Sequence, residues 1–128
     1  MNDRAWVATR KGLFELHRRG PTWSIANVSF LGEPVSMVLP PIAAGTQAGT
    51  MLAALNLGHF GVKLHASRDG GRQWTEVAAP TYPPQPEGAP GPAWKLQLVW
   101  ALEAAHDTVW AGTLPGGKRD AMPQVVRE

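Results

Sequence analysis

Eight residues, Ser67-Arg68-Asp69-Gly70-Gly71-Arg72-Gln73-Trp74, bring a hydroxyl, a carboxylate, two glycines and an indole together at close spacing. A serine two residues from an aspartate raises the question of nucleophile and base, but the neighbouring residues favour a turn. Ser67 and Asp69 have side-chain oxygens suited to accept from nearby backbone amides, Gly70 and Gly71 tolerate positive φ, and Trp74 can fold back as an apolar plug. Ser67, Asp69, Gly71 and Trp74 are therefore expected to build a hairpin and to catalyse nothing.

Other reactive side chains are dispersed. His59 sits in Asn56-Leu57-Gly58-His59-Phe60-Gly61, where a loop histidine bonded to carbonyls is a simpler reading than a ligand or base role. Tyr82, Glu87 and Trp94 belong to a proline-rich stretch in which the indole either stacks on a sugar ring or anchors the loop. His17, His65 and His106 stand alone, with no metal-ligand spacing, and the chain has no cysteine for a disulfide or a thiolate site. No cofactor is expected.

The elements that must position these residues follow from a repeat. Trp6-Val7-Ala8-Thr9, Leu52-Ala53-Ala54-Leu55 and Val109-Trp110-Ala111-Gly112 align as short apolar segments at intervals of 46 and 57 residues. An alternating strand follows the first two, at residues 12–16 and 61–65, and tryptophans 23 and 74 open further strands. Such a period suits the blades of a β-propeller. Residues 35–79 form one complete four-stranded blade, with strands at 35–39, 51–55, 61–67 and 74–78. Residues 5–30 supply strands two to four of a preceding blade (5–9, 12–17, 23–30), and 95–113 begin a following one (95–103, 108–113). Helix formers in Trp94–Ala105 offer a competing helix, but Leu96, Leu98, Trp100 and Leu102 alternate as in a strand. The expected fold is all-β: an incomplete propeller of four-stranded antiparallel blades, about two blades' worth, over residues 1–117. Residues 118–128 lie outside the pattern.

In this layout the box turns occupy one end of the blades. The opposite end gathers Arg10, Lys11, Glu33, Asn56, His59, Lys63, the loop from Tyr82 to Lys95, and Lys118. The ligand-binding candidates are Arg10, Asn56, His59, Tyr82 and Trp94.

Composition narrows the function classes. With 44% hydrophobic and 17% charged residues the chain has a globular makeup, and 14 glycines with 12 prolines favour short elements joined by turns. The net charge of +2 is spread in ones and twos, so nucleic acid is not an expected partner. Charges at Asp3, Arg4, Arg10 and Lys11 interrupt any signal-peptide core, and no apolar run reaches the ~20 residues of a membrane span, so a cytoplasmic protein is expected.

The box Ser67–Trp74, the period and the segments ATRKGLFEL, AALNLGHFGVKLHASRDGGRQWTEV and WAGTLPGG together resemble the sialidase-like Asp-box (BNR-repeat) propellers of bacteria, often described as exo-α-sialidases or glycosyl hydrolases. The resemblance covers residues 5 to 117 and implies a truncated member with a carbohydrate ligand. It departs at Leu16–Trp23, where Arg18 replaces the box aspartate and Leu16 the serine. The chemistry it implies is an arginine cluster, a tyrosine nucleophile assisted by a glutamate, and an acidic acid/base. Only Arg10 is placed for the clamp, and the sole tyrosine, Tyr82, lies in the proline-rich loop at an ordinary spacing to Glu87. The alternative is a non-catalytic propeller module that binds a ligand or protein through its rim loops. Open blade edges and flanks imply self-association, or marginal stability for the isolated chain.

Overall fold

The computed structural model describes residues 3–91, 93–114 and 124–126. The described residues form three antiparallel sheets. The first holds β1 (Arg4–Thr9), β2 (Gly12–Arg19) and β3 (Thr22–Ser29); the second holds β4 (Val35–Leu39), β5 (Met51–Asn56), β6 (Val62–Ser67) and β7 (Thr75–Val77). The third holds β8 (Leu98–Ala105), β9 (Thr108–Leu114) and β10 (Gln124–Val126), which pairs with β9. The fold is all-β, and the only helical turn among the described residues is the 3₁₀ segment Gly58–Phe60. No helix among them is long and apolar enough to cross a membrane.

The sheets stack face to face, and β5 explains why. Met51, Leu52, Ala53, Ala54 and Leu55 are all buried, which a strand achieves only when both of its faces are covered. Side chains alternate between two clusters. Ala53 and Leu55 join Leu13, Val35, Trp6, Phe30 and Trp74 between the first and second sheets. Leu52 and Ala54 join Leu64, Val99, Leu102, Val109 and Ala111 between the second and third. The middle sheet is thus the shared wall of two cores.

This sidedness shifts the repeat. Trp6 and Ala8 face the second sheet, Leu52 and Ala54 face the third, but Val109 and Ala111 face back toward the second. The residues of β9 on the same side as Trp6 and Leu52 are therefore Trp110 and Gly112, one position beyond the alignment read from sequence. In a strand a slip of one residue exchanges the faces.

Other boundaries differ for local reasons. The third sheet begins at Leu98 rather than residue 95. Within β8 the register shifts between Val99 and Ala101, so Leu98 pairs outward with Leu114 while Leu102 is buried. The β2–β3 turn, which lacks the box residues, is a two-residue Gly20-Pro21 connection with Gly20 at φ 59. It is tied down by an Arg18–Asp3 ion pair of 3.0 Å, a 2.8 Å hydrogen bond donated by the Arg18 backbone amide to the Asp3 carbonyl, and the Arg18 guanidinium over the Trp23 ring.

Candidate functional site

The hairpin joining β6 to β7 is built from Ser67–Trp74 as a hydrogen-bonded knot. The Gly71 amide donates to Ser67 Oγ at 2.9 Å, while the amides of Arg72 and Gln73 donate to Asp69 Oδ1 at 3.0 and 2.9 Å. Ser67 Oγ donates to the same carboxylate oxygen at 2.9 Å. The Gln73 amide first, and then the Ser67 hydroxyl, hold the Asp69 carboxyl below its ordinary value of 3.8. A carboxylate with these partners is a structural acceptor.

The knot also joins two sheets. Gly71, at φ 90, turns its carbonyl to accept from Trp74 Nε1 at 3.1 Å and, across the interface, from Asn27 Nδ2 and Ser29 Oγ of β3 at 3.2 Å each. Trp74 Nε1 also reaches Ser29 Oγ at 3.1 Å. Phe30, a bulky residue at φ 55, is held there by edge and tilted contacts with His65 and Trp74, each 5.1 Å between centroids.

The opposite end of the sheets carries every described binding candidate. Arg10 and Lys11 form the exposed β1–β2 turn, and the Lys11 carbonyl accepts from Gly32 at 2.9 Å. Asn56 ties the rim across the second and third sheets: its amide donates to the Pro34 carbonyl at 3.1 Å, and its Nδ2 donates to the Gln97 carbonyl at 3.3 Å. His59 lies exposed on the 3₁₀ turn beside Phe60, which is 79% exposed. Tyr82, half-buried within the proline-rich connector, has its hydroxyl 2.9 Å from Thr113 Oγ1. The Trp94 amide donates to Gln85 Oε1 at 3.1 Å, which closes that connector on itself and leaves the indole partly exposed. Lys63 of β6 is in ion-pair range of Glu76 at 3.8 Å, and Lys118 lies outside the described residues. Asn56 and Tyr82 are each hydrogen-bonded to the third sheet. Arg10, His59 and Trp94 remain on the surface, in separate loops.

One concavity went unread in the sequence. A groove of about 460 Å³ opens at the box end between the second and third sheets, lined by Leu39–Ala44, Gln47 and Glu103–Val109. Its wall includes the β8–β9 turn, where His106 and Asp107 both take positive φ, 51 and 62. A two-residue turn with both central residues left-handed suits hairpin twist but ordinarily uses Asn-Gly. The turn is latched instead: Asp107 Oδ1 accepts from the Thr46 amide at 2.9 Å and lies 3.3 Å from the Thr46 hydroxyl. The only sequence signal for this groove was the tight spacing between β8 and β9. Among the described residues no cluster of three His, Asp or Glu suits a metal.

No family model and no curated protein matches this chain.

Proposed function

We propose that the three sheets are blades of an Asp-box β-propeller of the sialidase-like group, and that the chain acts as a non-catalytic binding module through its rim loops. The observation that carries this is the placement of Tyr82. The only hydroxyl of its kind in the chain is turned inward onto Thr113, where it holds the connector rather than facing a substrate. Asp69 is likewise committed to the turn at the far end of the blades. A hydrolase of the kind the resemblance implies needs an activated tyrosine facing the substrate.

What the rim offers is recognition. Arg10 supplies a cation for a carboxylate, His59 a hydrogen-bonding ring, and Trp94 an aromatic face for a sugar or an apolar side chain. The face-to-face stacking of the sheets and the box at their corner support the propeller reading.

The test compares turnover with binding. The purified chain is expected to release no fluorophore from an aryl sialoside. It is expected to retain glycans on an array in a manner weakened by Trp94→Ala or Arg10→Ala and unchanged in Asp69→Asn. Hydrolysis above that of the heat-inactivated sample refutes the non-catalytic assignment. Glycan retention indifferent to Trp94 and Arg10 refutes the rim.

A further inference from the structure

We propose that the groove between the second and third sheets, at the box end, is a binding site for a small primary amine with an apolar body. It lies at the opposite end of the sheets from the rim loops and goes beyond the rim reading.

The groove exists because its walls are built from small residues. Ala43 and Ala44 stand on one side and Ala104 and Ala105 on the other, so little side-chain volume fills the space between the sheets. The opening of about 460 Å³ falls within the roughly 300–1,000 Å³ of sites for small organic molecules. Its floor is apolar and continuous with the core: Leu39, Ile42 and Ala104 pack against the cluster that holds Leu52, Val99 and Val109. An aromatic or hydrocarbon body laid there extends that core and leaves water.

The walls are also fixed in place. The Ile42 carbonyl accepts from the Gly49 amide at 2.8 Å, and the Ile42 amide donates to the Thr50 carbonyl at 3.0 Å, which folds residues 42–50 into a closed loop. Gly45, at φ 92, lies so close to the β8–β9 turn that a Cβ on it would collide with Asp107 Oδ1. That same oxygen accepts from the Thr46 amide at 2.9 Å and joins the two walls. A site held in this way loses little conformational entropy when it is filled.

Charge selects the ligand. Glu103 and Asp107 are the acidic residues of the lining, beside His106, and the lining contains no lysine or arginine. Neither carboxylate has an ion pair among the described residues. Asp107 is committed through one oxygen only: Oδ2 makes no hydrogen bond among the described residues and is left to accept from an ammonium group. A guanidinium binds a carboxylate best through a two-pronged fork that needs both oxygens, whereas an ammonium is a point charge that needs one. A single open carboxylate oxygen beside an apolar floor therefore favours an amine over a guanidine, and over an alcohol or carboxylate of the same shape.

Amide chemical shifts of the purified chain, followed as phenylpropylamine, phenylpropanol or phenylpropanoate is added, test this. The amine is expected to shift the amides of residues 42–47 and 104–109 and to bind about tenfold more tightly than the alcohol, as a charge-assisted hydrogen bond does, with the carboxylate weakest. Butylamine, with the same head and a smaller body, is expected to bind more weakly than phenylpropylamine. Asp107→Asn retains an oxygen for the Thr46 amide and a residue type that accepts left-handed backbone, but removes the charge. It is expected to abolish most of the amine's advantage and to leave the alcohol unchanged. Glu87→Gln, which alters an exposed carboxylate outside the groove, is expected to change neither. Equal binding of amine and alcohol by the unaltered chain, a preference that survives Asp107→Asn, butylamine binding as tightly as phenylpropylamine, or shifts confined to the rim loops each overturns the assignment. The comparison of ligands on the unaltered chain stands whether or not the variant folds.

Discussion

Replacing Gly71 with alanine tests whether the box carbonyl is the joint between the first two sheets. Gly71 is buried at φ 90, a conformation that costs a residue with a Cβ about 1–3 kcal/mol. Space is not the obstacle, because an added Cβ would lie 3.5 Å from Trp74 Cζ2 and 3.8 Å from Met51 Sδ, ordinary contact distances. The backbone can relieve the strain only by rotating, and rotation moves a carbonyl that accepts from Asn27, Ser29 and Trp74. Each such bond is worth about 0.5–1.5 kcal/mol net, so strain plus one or two weakened bonds amounts to roughly 2–5 kcal/mol. Gly88→Ala is the control: it has a similar φ of 76, nothing within 4 Å, and a loop free to adjust. Urea unfolding followed by tryptophan fluorescence, at one fixed protein concentration, should place Gly71→Ala well below Gly88→Ala. Equality of the two within about 0.5 kcal/mol, the usual scatter of independent sites, refutes the joint.

Three further outcomes are expected. Leu55→Ala, at a fully buried site between the first and second sheets, should cost about 2–5 kcal/mol in the same unfolding assay. Because Asp69 has its folded pKa held below 3.8, the stability it contributes is present above that value and is lost as pH falls through the lower folded value; Asp69→Asn should flatten this acid limb in a series of melts below pH 4. Burial holds the His65 imidazole below its usual 6.5 against the pull of Glu76 and Glu33, so the folded state keeps it neutral. Its contribution is therefore present above 6.5 and drains as pH falls below it, and His65→Leu should remove that slope from melts between pH 7 and 5.

The hairpin at Ser67–Trp74 and most strands were legible because their signals are local. A turn needs particular residues at particular offsets, and an alternating strand announces its own period. Sidedness was less legible, since Val109 and Trp110 are both apolar and only packing reveals which of them faces the core. The register shift at Trp100 shows the same limit: Leu98, Trp100 and Leu102 alternate in sequence, yet the first two lie on the outward side and the third in the core. β10, with no glycine, tryptophan or box, has only its pairing with β9 to define it. At the site, Tyr82 read as a ligand-binding candidate because a phenol in a loop carries no mark of its partner; Thr113 lies 31 residues away in sequence. The groove was hidden for a related reason. Its two walls come from residues 39–47 and 103–109, and its latch joins residues 61 apart.

The two ends of the sheets divide the work of the molecule. At the box end the polar groups are spent on one another: Asp69 on three donors, the Gly71 carbonyl on three more, Asp107 on Thr46. Left-handed backbone at His106 and Asp107 persists there because that latch and the β8–β9 pairing over-determine it. At the rim the Asn56 side chain ties the second sheet to the third at the Gln97 carbonyl, and main-chain bonds from Gly32 to Lys11, Asn56 to Pro34 and Gln97 to Leu114 close the adjoining segments, while the side chains of Arg10, His59, Phe60 and Trp94 are left outward. A rim whose main chain is fixed and whose side chains are free suits recognition, because the loops pay little ordering entropy when a ligand arrives. The same division separates two kinds of defect: substitutions among the box partners change how firmly the sheets are joined, whereas substitutions of the outward rim side chains leave that joint intact and, on the proposed reading, change only what is bound.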